Sequence, residues 1–183
     1  MPDADRILSQ SSFEHVIDVP ADRVDIADWL FHLGNNEYER CCPPDHIACG
    51  YTHTDDGQPM SINVETIGAS LVIQQYVAQV HKADYCKMVS TSDVFPFSGG
   101  RTQTRVVWEL RVQSIDDSSS RYSNTVTAYA TDGFMEFIAE RGQTFDDAAA
   151  ARQAASSDHN RRETPLFAES IARAAKAEQT VTA

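Results

Sequence analysis

Three polar side chains that could hold or act on a small molecule recur along one predicted strand, residues 71–81. Gln75, Gln79 and His81 fall on the same side of this strand as Ile73 and Val77. That side is predicted to face the interior. A buried polar group without a partner costs about 1–3 kcal/mol, so a ligand could supply the missing partners. The alternatives are a bulge that re-exposes Gln79 and His81, or bonds among these groups and water.

The inward assignment depends on the neighbouring strand, in which apolar and polar residues alternate. Met60, Ile62 and Val64 share one face of that strand, and we expect the apolar face to be buried. A two-residue turn at Gly68-Ala69 joins the two strands. It predicts a register in which Val64 lies opposite Ile73, Ile62 opposite Gln75 and Met60 opposite Val77.

Met88, Ser90 and Trp108 are further candidates for ligand contacts. Methionine adapts to irregular ligands, and tryptophan combines a large apolar face with one hydrogen-bond donor. Ordinary core packing explains these residues as well. The ligand-binding set predicted from the sequence is therefore Gln75, Val77, Gln79, His81, Met88, Ser90 and Trp108.

Proton transfer at neutral pH most often uses histidine, and His81 is the predicted catalytic group if the protein is an enzyme. Glu65, Asp93 and Glu109 are also available, although Glu109 alternates with arginines in a pattern typical of a solvated strand face. The chain has no G-x-S-x-G motif and no glycine-rich phosphate loop, which disfavours nucleophilic and nucleotide chemistry.

No metal and no other cofactor is predicted. His46 and His53 are seven residues apart on one strand and therefore point to opposite faces. A site assembled from distant strands, such as His46 or His81 with Glu65, remains an alternative. The four cysteines include an adjacent pair and no Cys-x-x-Cys motif, so reduced, buried thiols are expected.

Composition limits the partners. The 183 residues carry a net charge of −12 and have a pI near 4.7, so nucleic acid and anionic lipid surfaces would be repelled. No run of 18 or more apolar residues occurs, and the N-terminal residues lack an apolar signal region. No nucleic acid, no membrane insertion and a cytoplasmic location are predicted.

The strands and helices that position these residues are predicted from changes in the spacing of apolar residues along the chain. A first strand at 12–19 precedes a helix capped by Asp22. Alternating runs then predict strands at 46–54, 58–67, 71–81, 85–95, 101–115 and 122–131. The tail is helical, with breaks predicted at Gly142 and at 157–162 and a final helix capped by Thr164. We expect a flexible N-terminus at 1–11, one domain at 12–178 and a frayed C-terminus at 179–183.

This order of strand, short helices, six antiparallel strands and terminal helix resembles the START and Bet v 1-like (SRPBCC) helix-grip superfamily, which includes bacterial polyketide cyclase/aromatase proteins. The resemblance covers roughly residues 12–174 and depends on element order. It implies an α+β fold, in which a curved antiparallel sheet of about seven strands wraps around a long C-terminal helix. It also implies a cavity between sheet and helix for hydrophobic or aromatic ligands.

The predicted function is therefore binding of a hydrophobic or aromatic small molecule, lipid- or polyketide-like, in that internal cavity. One alternative is a cofactor-independent cyclase/aromatase or hydrolase that uses the same cavity, with His81 as the proton-transfer group and Gln75 and Gln79 orienting a carbonyl. Another is a protein-interaction module. A homodimer remains open.

Overall fold

The computed structural model describes residues 6–181, with side chains to Ala177. The strands are β1 Ile7–Ile17, β2 His46–His53, β3 Pro59–Ile67, β4 Ser70–Lys82, β5 Tyr85–Pro96, β6 Thr102–Ser114 and β7 Ser120–Ala130. A short 3-10 helix, Ala21–Arg23, follows β1, and the α-helices are α1 Ile26–His32, α2 Asn35–Cys41, α3 Asp132–Ala139 and α4 Phe145–Val181. The α+β helix-grip architecture predicted from the sequence is confirmed.

All seven strands form one antiparallel sheet in the order β1-β7-β6-β5-β4-β3-β2. From β2 to β7, strands that follow one another in the chain are neighbours in the sheet because their connections are short. Strand β1 lies beside β7 at the other edge of the sheet. The predicted pairing of β3 with β4 is confirmed in full, with Met60 opposite Val77, Ile62 opposite Gln75 and Val64 opposite Ile73. Gly68 occupies the turn with a φ of 58°, a conformation that favours glycine.

The long helix α4 lies against the concave face of the sheet and packs on α1 and α2. Its buried apolar residues include Phe167, Ala168 and Ile171. Trp29 of α1 meets Phe167 edge to face at 5.2 Å between ring centroids, and its indole N–H donates to the Ser170 hydroxyl at 3.1 Å. Sheet, helix α4 and the two short helices therefore enclose one interior.

Some predicted boundaries are wrong. Strand β1 begins at Ile7, within the segment predicted to be flexible. Helix α1 is capped by Asp25, whose carboxylate accepts from the Asp28 N–H at 2.8 Å, whereas Asp22 lies in the short 3-10 helix. Of the predicted flexible and frayed ends, residues 1–5 and 182–183 lie outside the described residues, while the α4 backbone continues to Val181.

The predicted break in the tail at 157–162 is also wrong, because α4 runs through it without interruption. Arg161 and Arg162 both donate to Asp158 across one helical turn, which supports the helix on its exposed side. Pro165 removes one backbone donor but stands inside the helix. Packing against the sheet maintains the helix where local sequence preference predicted a loop.

Candidate functional site

The centre of the molecule holds four ionisable side chains that we call the inner cluster: His46, Glu65, His159 and Glu163. Each is no more than 5% exposed. His46 begins β2 and lies opposite Glu65 of β3 in the strand register. His159 and Glu163 are one helical turn apart on α4 and share the face that meets the sheet. Sheet and helix therefore contribute one carboxylate and one imidazole each.

The four side chains converge on one point. The His46 Nε2 atom lies 3.2 Å from Glu163 Oε2 and 3.5 Å from Glu65 Oε2. The His159 Nε2 atom lies 3.4 Å from each of the same two oxygens. Each imidazole therefore faces both carboxylates.

Surrounding groups orient the inner cluster from outside. His46 Nδ1 bonds to the backbone carbonyl of Tyr38 at 2.8 Å, and the Tyr38 hydroxyl donates to Glu65 Oε2 at 2.9 Å. The rings of Tyr38 and His46 stack with centroids 3.8 Å apart. These contacts fix the orientation of the His46 ring.

On the helix side, His159 Nδ1 lies 3.0 Å from the Asp45 carboxylate, which also accepts from Arg162. The Asn124 amide donates to Glu163 Oε1 at 3.0 Å. Trp108, predicted to contact a ligand, instead donates its indole N–H to Asn124 Oδ1 at 2.8 Å. A chain of hydrogen bonds thus holds Glu163 with its second oxygen directed to the inner cluster.

Charge interactions oppose the effect of burial on these groups. Burial lowers the pKa of His159, but the nearby charges of Glu65 and Glu163 outweigh it and raise that pKa well above its ordinary value. Burial raises the pKa of Glu163 and of Glu65, but the His159 charge outweighs it and lowers both. The carboxylates therefore remain ionised in the folded protein.

Beside the inner cluster is a cavity of only about 30 Å³. It is lined by the inner cluster's Glu65, His159 and Glu163 and by other side chains that include Asn63, Gln74, Tyr76, Trp108, Arg152 and Ser156. This volume accommodates about one water molecule. The central cavity is thus smaller and more polar than the apolar ligand cavity predicted from the sequence.

A larger space, which we call the outer chamber, lies between one end of the sheet and helices α3 and α4. Its volume is about 360 Å³, within the roughly 300–1,000 Å³ typical of small-molecule sites. Its lining is mainly apolar and includes Val94, Phe134, Phe137, Ile138, Ala148, Ala151 and Ala155. Ile67 and Arg152 line both this chamber and the central cavity, so they separate the two spaces.

Several residues that line the outer chamber also have buried polar atoms without hydrogen-bond partners. Within the described residues, six buried side-chain atoms lack a hydrogen bond, and three of these belong to chamber-lining residues: Thr102 Oγ1, Thr104 Oγ1 and Arg152 Nε. A fourth is His159 Nε2 of the inner cluster. Since such atoms are rarely left unpaired in native proteins, the chamber presents donors for an external partner.

The structure does not bury the four residues of β4 that were predicted to face inward. Gln75 is exposed and Val77 is half-buried on the outer face of β4. A bulge between Ala78 and Val80 then shifts the register, so that His81 lies opposite Cys86, and Gln79 and His81 are both exposed at this end of the strand. The side chains of β4 that point inward are those of Val72, Gln74, Tyr76 and Ala78. The roles predicted for the four residues inside a cavity therefore do not follow from their positions.

The physical reason for this error is that the interior beside β3 is polar. Ser61, Asn63 and Glu65 are buried there, whereas the apolar Met60, Ile62 and Val64 are only half-buried on the outer face. A correct register with the opposite face assignment reverses every side chain.

Met88, Ser90 and Trp108 do point inward and are buried. Trp108 lines the central cavity. The Ser90 hydroxyl oxygen accepts hydrogen bonds from one group on β4 and one on β5. The β4 donor is the Gln75 N–H, at 2.9 Å. Contacts of these three residues with a ligand stay a prediction.

Sequence reasoning missed His159, Glu163 and Arg152. His159 and Glu163 are four residues apart, the spacing that places two side chains on one helix face. The predicted break at 157–162 concealed this signal. Pairing of His46 with Glu65 was considered as a metal-site alternative, and the two residues are neighbours.

The cysteines are free thiols, as expected. Burial raises the pKa of Cys41 and Cys86 to about 12, which makes both poor nucleophiles.

Several solved structures are similar to this fold. The Zhui aromatase/cyclase from Streptomyces sp. R1128 aligns with a TM-score of 0.63 and 11% sequence identity, covering 91% of this chain and 93% of that one. The di-domain ARO/CYC BexL from the BE-7585A biosynthetic pathway gives 0.58 and 12%, covering 90% of this chain and 50% of that one. The di-domain ARO/CYC StfQ from the steffimycin biosynthetic pathway gives 0.55 and 15%, with 90% and 52% covered.

At these identities the likeness shows the helix-grip fold alone. No protein-family model matches the sequence, and no curated protein is significantly similar to it. Among the described residues, no helix is both long enough and apolar enough to span a bilayer.

Proposed function

We propose that this protein binds an apolar or aromatic small molecule that carries an acidic or carbonyl oxygen, and that the ligand occupies the outer chamber. The observation that supports this proposal most is the buried, unpartnered Arg152 Nε beside the unpartnered hydroxyls of Thr102 and Thr104 in a space of about 360 Å³. The site thus combines an apolar wall with a few convergent polar groups, as small-molecule sites do.

The two kinds of lining suggest how the ligand lies. Its ring system would pack against Phe134, Phe137 and Val94 in the chamber wall. Its oxygen would accept from the guanidinium of Arg152, because bonds between a charged donor and an oxygen are stronger than neutral ones. The aromatase/cyclase names of the structural neighbours support an oxygenated aromatic or polyketide-like ligand over a plain hydrocarbon.

Paired probes test this arrangement. Isothermal titration of 2-naphthoate and of the neutral 2-naphthamide should show at least tenfold tighter binding of the carboxylate. Arg152→Met should weaken naphthoate binding at least tenfold and remove most of the difference between the probes. Arg121→Met is the matched control, because Arg121 pairs with Glu14 on the sheet surface and lies opposite Gln113, at the end of the β6–β7 pair away from Thr104 and the chamber.

A second variant tests the location independently of charge. Ala151 is exposed and lines the chamber, so Ala151→Phe should fill the space and abolish binding of both probes without unfolding the protein. Equal binding of naphthoate to native protein, Arg152→Met and Ala151→Phe would eliminate the outer chamber as the ligand site.

A second candidate function is a cyclase/aromatase-type or hydrolase enzyme that uses the same space. It is favoured by the position of Arg152, which separates the chamber from the polar central cavity and could stabilise negative charge that develops on a substrate carbonyl oxygen. Substrate atoms that reach Arg152 would meet polar groups rather than a purely apolar wall.

Enolisation of a simple aromatic ketone tests the enzymatic candidate. Exchange of the methyl protons of 2-acetonaphthone into deuterated buffer, followed by NMR, should be faster with native protein than with buffer alone, with the buffer base taking the proton and Arg152 stabilising the enolate oxygen. The acceleration should disappear in Arg152→Met and persist in Arg121→Met. Exchange at the buffer rate with native protein would remove this candidate while leaving the binding proposal intact.

A further inference from the structure

We infer that the inner cluster is a binding site for one divalent transition-metal ion, with zinc the best match, held by the Nε2 atoms of His46 and His159 and by the carboxylates of Glu65 and Glu163. This site is separate from the outer chamber, and the inference does not depend on the ligand proposed there.

The spacing of the donor atoms supports the inference. Zinc binds imidazole nitrogen and carboxylate oxygen at about 2.0–2.2 Å, so neighbouring donors around a tetrahedral ion lie about 3.3–3.6 Å apart. The four distances between an imidazole Nε2 and a carboxylate Oε2 in the inner cluster are 3.2, 3.4, 3.4 and 3.5 Å. One ion therefore fits between these atoms.

Hydrogen bonding orients both imidazoles with Nε2 toward that point. His46 Nδ1 faces a backbone carbonyl and His159 Nδ1 faces a carboxylate, and both of these oxygens only accept hydrogen bonds. Each Nδ1 therefore carries a proton, and a metal ion would take the place of the proton that the two carboxylates otherwise favour on Nε2. His159 Nε2 has no hydrogen-bond partner within the described residues.

The charge of the inner cluster also calls for a cation. Glu65 and Glu163 place two carboxylates in the interior with side chains only 7% exposed. Two like charges at one buried site are unfavourable without compensation. One divalent ion would compensate both and coordinate all four side chains, in place of the compensation that the His159 charge otherwise supplies.

The groups that hydrogen-bond to the four proposed ligand side chains are of the kinds commonly found around metal sites in proteins. Ligating histidines commonly donate their other N–H to a carbonyl or carboxylate, and ligating carboxylates are themselves hydrogen-bonded. Here the Tyr38 carbonyl, the Asp45 carboxylate and the Asn124 amide supply those contacts. The adjoining cavity of about 30 Å³ could hold one water on the ion.

The donor types also bear on the choice of metal. Two imidazole nitrogens favour zinc and related transition metals over magnesium or calcium, which prefer all-oxygen sites. Cys42, His46 and His159 offer ligand atoms within 4.8 Å of one another, but the Cys42 sulfur lies 3.7 Å from His159 Nδ1, on the side of that ring that faces Asp45.

Direct titration tests the site. Protein purified without a metal-affinity tag and stripped with pyridine-2,6-dicarboxylate should bind one Co²⁺ per chain with a visible absorption band characteristic of low coordination number. Zn²⁺ should displace the Co²⁺ and abolish the band. Thermal unfolding of the stripped protein should shift upward on addition of Zn²⁺.

Matched variants locate the ion. Glu163→Gln and His159→Gln keep the size of the side chain and should weaken Co²⁺ binding at least a hundredfold. Asp45→Asn alters the outer contact of His159, along with the Arg162 ion pair, and should weaken Co²⁺ binding about tenfold. His81→Gln and Glu109→Gln change the same residue types outside the inner cluster, on β4 and β6, and should leave binding unchanged.

Two results would overturn the inference. Absence of any cobalt band and of any zinc-dependent shift in folded native protein would show that protons alone hold the inner cluster. Unchanged binding in the variants that remain folded, Asp45→Asn among them, would place the ion elsewhere. The native titration and the outer-contact variant decide the question even if both ligand variants fail to fold.

Discussion

The inner cluster and the outer chamber are separated by Ile67 and Arg152, and they differ in whether their polar groups have hydrogen-bond partners. Around the inner cluster, outer contacts from Tyr38, Asp45 and Asn124 satisfy the atoms that point away from its centre. In the outer chamber, buried donors on Thr102, Thr104 and Arg152 have no partner among the described residues. The first space measures about 30 Å³ and the second about 360 Å³.

The protein itself supplies hydrogen-bond partners for the polar atoms around the inner cluster, whereas the polar atoms of the outer chamber are left for a ligand. A nearly closed polar network with one shared centre suits a small ion, and an apolar space with a few unsatisfied donors suits a larger organic molecule. Removal of a polar group should therefore destabilise the protein at the inner cluster and stabilise the ligand-free protein at the outer chamber.

The largest effect is expected at the inner cluster. Glu163→Ala removes the acceptor that faces His46, His159 and Asn124, and should lower the free energy of unfolding by about 3–5 kcal/mol, the range for breaking a buried charge network. Urea denaturation at neutral pH measures it. Glu169→Ala, an exposed acid on the same helix, should change stability by less than about 0.5 kcal/mol. A similar small loss in both variants would show that the inner cluster does not stabilise the fold.

A smaller effect is expected one contact further out. Trp108→Phe deletes the indole N–H that bonds to Asn124 and should cost about 1–3 kcal/mol, because a buried amide oxygen loses its donor. Chemical denaturation of this variant should give a lower midpoint with an unchanged slope. An unchanged midpoint would mean that Asn124 finds another partner and that the chain of bonds to Glu163 is not continuous.

The sign should reverse in the outer chamber. Thr104→Val removes a buried hydroxyl that has no partner and keeps the shape of the side chain, so the ligand-free protein should gain up to about 1 kcal/mol. Differential scanning calorimetry would detect a raised melting temperature. Destabilisation by Thr104→Val would indicate that water already satisfies this hydroxyl and would weaken the contrast between the two regions.

The smallest effect is expected at the exposed end of β4, beyond its bulge. His81→Ala should alter stability by less than about 0.5 kcal/mol, since its side chain is exposed there. Naphthoate affinity should also stay within twofold of native in the same titration. A loss of binding in this variant would restore His81 to the ligand site.

Local patterns in the sequence were sufficient for the order of the strands and for the register of one pair, β3 with β4. Period-two alternation and the glycine turns predicted seven strands, and the Gly68-Ala69 turn predicted the β3–β4 pairing residue by residue. Hairpin register depends on turn geometry, which is local, so a single sequence contains it.

The face of each strand and the site could not be predicted in the same way. The assumption that Met60, Ile62 and Val64 face inward failed because the interior beside β3 is a polar network that α4 completes from more than ninety residues away in the chain. Only tertiary contacts distinguish a buried Glu65 from a solvated one. The same long-range packing keeps α4 helical at 157–162, where the sequence favours a break.

The uninterrupted course of α4 has a mechanical consequence. Arg152, His159 and Glu163 all belong to this one helix, so the backbone positions behind the two spaces are held about two and three helical turns apart. A tilt of α4 that repositioned the arginine backbone would therefore also displace the imidazole and the carboxylate.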